Sequence, residues 1–208
     1  MRRLLTVVVV TGLALSMAAP PATAKGEGFT GDSLSASWRF RRPLTSHTYL
    51  RLFWYLDAYD TGDASSSYLS RSVVRCTERE GRDRCRTRSW QSGWIKRLGD
   101  GEFSVDRKLT SGHLEATYRL RTWADGEWQF VGRASIVADL TGVGDVTRSR
   151  YSYSFHTGCT QATYKGKSRS RDAVAVGILE LAGQTRHLGK TRSGWLSQGD
   201  SLEVENDC

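Results

Sequence analysis

Residues 34–41 read Leu-Ser-Ala-Ser-Trp-Arg-Phe-Arg, and residues 114–121 read Leu-Glu-Ala-Thr-Tyr-Arg-Leu-Arg. In both stretches apolar and polar side chains alternate one by one. Successive side chains of a β-strand point to opposite faces, so each stretch puts Leu, Ala and an aromatic on one face and polar groups on the other. That is the pattern of a strand with one buried and one wet face. Helical spacing is nearly absent after residue 24. The reading is all-β: an antiparallel β-sandwich or flattened barrel of about ten strands.

The two octets align without a gap at an offset of 80 residues, and at that offset Ala58, Thr61 and Gly62 fall on Ala138, Thr141 and Gly142. A shift of three residues then places Arg71-Ser72 on Arg148-Ser149. This predicts two similar meander halves, 33–112 and 113–208. No Pro- or Ser-rich linker separates them, so one domain is expected. Turn chemistry sets the pairing in the second half. A two-residue turn at Asp125-Gly126 would put Tyr118 opposite Arg133 and mix the faces. A three-residue loop, Ala124 to Gly126, instead pairs Leu120 with Phe130, Tyr118 with Gly132 and Leu114 with Ile136. Gly144-Asp145 suits a two-residue turn that pairs Ala138 with Tyr151, Ile136 with Tyr153 and Ala134 with Phe155.

The N-terminus opens with Met1-Arg2-Arg3, an apolar run from Leu4 to Leu15, and Ala22-Thr23-Ala24. A basic start, a short apolar run and a small-x-small site make a secretory signal peptide over residues 1–24. The run is too short to be a membrane anchor, and no later stretch is apolar enough to span. The mature chain is expected to begin at Lys25 with a flexible segment, 25–32, and to be secreted, either extracellular or bound to the cell wall. Loss of Arg2 and Arg3 lowers the formal charge from +8 to +6. Four cysteines, Cys76, Cys85, Cys159 and Cys208, all follow the leader. An even count in an exported chain predicts two disulfides, Cys76–Cys85 and Cys159–Cys208. No C-x-x-C pair and no histidine at metal spacing occurs, so neither a metal nor a cofactor is expected.

The leader, Leu140-Thr-Gly-Val-Gly-Asp-Val-Thr-Arg-Ser149 and Gly166-Lys-Ser-Arg-Ser-Arg-Asp172 resemble small secreted β-rich proteins of actinobacteria, a group without an assigned activity. The resemblance covers most of the mature chain. It implies export and a β fold, and it carries over no functional residue.

Catalytic motifs fail on inspection. Asp60-Thr61-Gly62 matches the core of the aspartic-protease motif, but those enzymes need two such carboxylates sharing a proton, and the repeat has Leu140 where the second acid would stand. Asp57, Asp60 and Asp63 offer hard oxygens, yet their spacing is not that of an EF-hand. No G-x-S-x-G occurs. Gly166-Lys167-Ser168 lacks the earlier glycine of a phosphate loop, with Gln161 in its place. His47, His113, His156 and His187 are scattered, leaving open a triad that assembles across strands.

Two surfaces remain. Pairing Cys76 with Cys85 around a Glu80-Gly81 turn sets Arg75 against Arg86, Thr77 against Arg84 and Arg79 against Arg82. One ribbon face then carries Arg71, Arg75, Arg79, Arg82, Arg84, Arg86 and Arg88, beside Trp90. Like charges directly opposite destabilise a ladder, so this face calls for water, acidic neighbours or an anionic ligand. On the strand from Tyr49 to Tyr59, Tyr49, Phe53, Tyr55 and Tyr59 share a face suited to stacking on sugar rings, or to burial in a central strand. The expectation is a non-catalytic exported protein that binds an anionic polymer or glycan of the cell envelope or its surroundings rather than nucleic acid. A secreted hydrolase and a secreted protein inhibitor are the alternatives.

Overall fold

The computed structural model describes the backbone of residues 31–157 and 160–207 and the side chains of 31–150, 152 and 165–199. The expected leader, the expected cleavage site before Lys25 and the expected Cys159–Cys208 bond fall outside the described residues. Ten strands follow one another: β1 (Gly31–Pro43), β2 (Thr48–Asp60), β3 (Ser65–Arg79), β4 (Arg82–Ile95), β5 (Phe103–Val105), β6 (Ser111–Ala124), β7 (Glu127–Gly142), β8 (Thr147–Thr157), β9 (Thr160–Leu181) and β10 (Gln184–Asp207). No helix occurs among the described residues, so none is long and apolar enough to cross a membrane. β1 takes in Gly31 and Asp32, the last two residues of the segment expected to be flexible, which pair with Gly199 and Gln198.

All pairings are antiparallel. The order β1-β2-β3-β4-β6-β7-β9-β10 closes on itself through β10 and β1, giving a flattened ring of eight strands. Its interior is filled by alternate residues of every strand, as small barrels require. Trp38, Trp54 and Tyr118 supply the bulk, and Ala134, Ala138, Ala173, Ala175 and Gly177 make room for them. Tyr118 and Ser67 share a hydrogen bond between hydroxyls inside the ring, and Ser67 Oγ donates to the Asp57 carbonyl at 2.8 Å.

The internal repeat is real in register for its first two strands. Leu34 pairs with Ala58 and Ala36 with Leu56; 80 residues on, Leu114 pairs with Ala138 and Ala116 with Ile136. The third strand departs from expectation. Gly144-Asp145 is not a hairpin turn. β7 pairs Gly142 with Ala173, and β8 resumes on the same side of β9 with Thr147 opposite Ser170. Val143 N donates to the Asp172 carbonyl at 2.7 Å and Arg171 Nε to the Gly144 carbonyl at 2.9 Å, which holds 143–146 out as a bulge. Ala138 therefore faces Gly177, Ile136 faces Leu179 and Ala134 faces Leu181, not Tyr151, Tyr153 and Phe155. The strand equivalent to β3 is β9, so Arg148-Ser149 does not correspond to Arg71-Ser72.

The β6–β7 hairpin also corrects an expectation. Its turn is two residues, Asp125-Gly126, with φ of 53° and 82°. Both signs fit the mirror-image turn that matches strand twist. The mixing of faces is cancelled farther along by a bulge: Arg121 pairs with Phe130, then Leu120 with Gly132, whose φ is 147°. Past the bulge Tyr118 faces Ala134 and the buried side is restored.

Candidate binding surfaces

Four hairpins, β1–β2, β3–β4, β6–β7 and β9–β10, turn at the same end of the ring. The β3–β4 hairpin has the expected register. Cys76 and Cys85 are bonded with Cα atoms 4.1 Å apart, and Glu80 and Gly81 have φ of 53° and 73°. Arg75 opposes Arg86, Thr77 opposes Arg84 and Arg79 opposes Arg82. Disulfide and turn together clamp a register that charge repulsion alone would disfavour. Arg75, Arg79, Arg82, Arg84, Arg86 and Arg88 are all exposed.

Two of this hairpin's three acids, Glu78 and Asp83, lie on its other face and are engaged there, and the third, Glu80, sits in the turn. Asp83 accepts from Arg51 Nη2 and from the Tyr49 hydroxyl, each at 2.5 Å, and Glu78 stands 3.8 Å from Arg41. Donating to Asp83 raises the Tyr49 phenol above its ordinary value. Among the described residues no carboxylate pairs with Arg75, Arg79, Arg82, Arg84, Arg86 or Arg88.

A bulge between Val73 and Val74 changes the two ends of the arginine row. Arg88 is the extra residue, between Thr87 opposite Val74 and Ser89 opposite Val73. Trp90 consequently pairs with Ser72 and falls on the outer face, away from the arginine ladder. Arg71 pairs with Gln91 and Trp54 and turns into the ring's mouth, half buried, with its guanidinium 5.6 Å from the Trp54 ring centre. Burial, and to a lesser extent Arg186, weakens its hold on the proton.

The stacking stripe expected on β2 is dismantled. Tyr49 is 2% exposed, with the Arg41 guanidinium 3.7 Å from its ring centre, so no sugar can reach it. Arg39 lies 5.3 Å over Phe53. Tyr59 is exposed. Tyr55 instead begins a different aromatic row, 6.4 Å from Tyr68, which stands 5.6 Å from Trp94. A second row, Trp90, Trp128 and Trp123, has successive ring centres 5.5 Å apart. Trp94, Trp123 and Trp128 are 60%, 56% and 47% exposed. Large aromatics are normally buried, and a cluster left this open is a candidate surface of interaction.

Both rows border the joint between β4 and β6. Ser92 with Arg121 is the only ladder pair there among the described residues. Thr122 Oγ1 adds a bond to the Trp90 carbonyl at 2.7 Å. Gly93 sits against β6, where a Cβ would come within 2.8 Å of Tyr118 Cβ and 3.0 Å of the Arg119 carbonyl. Over this joint runs an open groove of about 710 Å³, with Tyr68, Trp90, Trp94 and Trp128 as walls and Lys96, Arg119 and Arg121 as its charges. Tyr68 and Trp94 are cross-strand partners whose pairing hides behind the Val73/Val74 bulge, and Trp128 comes from β7 and meets Trp90 only across the β4–β6 joint, so the sequence did not reveal the three together.

The remaining chemistry is sparse. Asp60-Thr61-Gly62 is the turn between β2 and β3: Gly62 N donates to Asp60 Oδ1 at 2.8 Å. Among the described residues no group of three His, Cys, Asp or Glu can hold a metal ion. Ser104, His113 and Asp139 do share one cross-strand row on β5, β6 and β7, and His113 Nδ1 lies 2.7 Å from Asp139 Oδ1. That is the acid–histidine half of a triad. No hydrogen bond joins Ser104 to His113 among the described residues, and the acid is 71% exposed. Nucleophile activation needs that missing contact and a sheltered site. Comparison with known proteins gives no match: no family model fits the chain, and no curated protein or solved structure is significantly similar to it.

Proposed function

We propose that this protein is a non-catalytic, exported binding module whose β3–β4 hairpin holds an anionic polymer. One observation carries the reading: Arg75 and Arg86 stand directly opposite each other, with Arg79, Arg82 and Arg84 beyond them, and among the described residues no carboxylate answers any of them on that face. Guanidinium groups so placed repel, and each can grip a carboxylate, sulfate or phosphate with two parallel hydrogen bonds. An anionic chain laid along the hairpin would convert repulsion into attraction and release counterions, so its binding should weaken steeply with salt.

The test is titration of the native protein and an R75S/R86S variant with heparin and polyphosphate at low and moderate salt. The variant should bind about tenfold or more weakly while folding as well as the native protein or slightly better. If the native protein binds neither polymer better than an unrelated protein of equal charge, the arginine face is only solvated and the reading fails.

A further inference from the structure

We propose that the groove over the β4–β6 joint, on the outer face opposite the arginine ladder, is a sugar-ring subsite, so that a polymer passing round the β3–β4 hairpin from ladder to groove is an acidic polysaccharide. This rests on the reading of the arginine hairpin and goes beyond it by naming the chemistry of the repeating unit.

The groove's walls and charges are complementary to such a chain in two independent ways. Trp90, Ser92 and Trp94 alternate along β4, which puts both indoles on the outer face. Four residues of strand separate them by about 13 Å. A linear chain running along the joint can therefore lay one ring against Trp90 and another, a few units along, against Trp94, with Trp128 and Tyr68 bracing the two indoles from β7 and β3. Apolar sugar faces stack on such exposed rings, and the polar edges of the same sugars need donors. Lys96, Arg119, Arg121, Ser92 and Thr117 line the groove as donors, and no carboxylate does. Three cations with no acid fit a chain bearing carboxylate or sulfate groups. A neutral glycan would leave those cations without partners, and a polyphosphate has no rings to lay on the indoles. Arg119 is itself braced, with its guanidinium 5.3 Å over the Phe130 ring. The groove is open to solvent and carries three cations, and a second copy of this groove would bring like charges together, which disfavours self-association through it.

Oligogalacturonate and polyphosphate of equal charge serve as probes for the native protein, R75S/R86S, and Trp94→Ala and Trp128→Ala. The substituted tryptophans are largely exposed, and Trp94→Phe keeps a ring where the alanine does not. The expected result is tighter binding of oligogalacturonate than of polyphosphate, with a change in tryptophan fluorescence. Each alanine variant should lose roughly tenfold for the sugar and nothing for polyphosphate, and Trp94→Phe should recover most of the loss. Equal binding of the two probes, weakened by R75S/R86S and untouched by the alanine variants, overturns the subsite and leaves the arginine reading standing. Sugar binding that survives R75S/R86S and vanishes with Trp94→Ala overturns the arginine reading and keeps the groove. Binding of neither probe sinks both. A native dimer that Trp94→Ala converts to a monomer assigns the groove to a second copy and overturns the subsite.

Discussion

Asp57 shows how closely one residue can report on this fold. It lies on β2 opposite Ser35 and Tyr68, on the outer face, yet it is half buried. Burial raises its carboxyl above the ordinary aspartate range. A group whose folded value is raised contributes stability below its unfolded value, and that contribution is lost as pH rises through the folded one. At neutral pH the native protein therefore carries a half-desolvated charge. Asp57→Asn should be the more stable protein at pH 7, by less than about 1 kcal/mol because the group is only partly shielded. The gain should vanish near pH 3, where native Asp57 is itself protonated. Urea midpoints at the two pH values check this, and a gain of equal size at both would point away from charge burial.

At the scale of elements, the joint between β4 and β6 depends on Gly93. A methyl there meets Tyr118 Cβ at 2.8 Å and the Arg119 carbonyl at 3.0 Å, so the two strands must part. Gly93→Ala should cost about 1–3 kcal/mol, read as a lower urea midpoint with an unchanged slope. The same variant should distort the groove above. Hairpins were legible in the sequence wherever alternation and turn were local. Cys76, Cys85 and Glu80-Gly81 set β3 on β4 without reference to the rest of the chain. Bulges were the recurrent source of error. Val73/Val74 moved Trp90 off the arginine face, and Gly132 let a two-residue turn succeed where alternation alone argued for three. A bulge inserts one residue and swaps faces, and no simple period records it. Gly144-Asp145 has the composition of a turn but is overridden by the backbone bond from Val143 to Asp172 and the bond that the Arg171 side chain donates to Gly144, a segment too distant for local reading.

Across the whole molecule, closure of the ring decides what the surface offers. The arginine ladder belongs to one hairpin, whereas the tryptophan groove belongs to the circuit. The circuit's three joints between strands that are not hairpin partners are unequal: β7 and β9 share nine paired positions, β10 and β1 six, and β4 and β6 one. A hoop under tension parts where its rivets are fewest. The first opening of this protein should run between β4 and β6, turning the hoop into one open, curled sheet that keeps all its hairpins. Backbone amides of residues 90–95 should then exchange with solvent sooner than those of residues 32–36, an ordering that hydrogen exchange measures directly. A polymer strand seated across that gap would act as a clasp. Its presence should slow exchange at residues 90–95 far more than at 32–36, and should raise the force at which the hoop gives way.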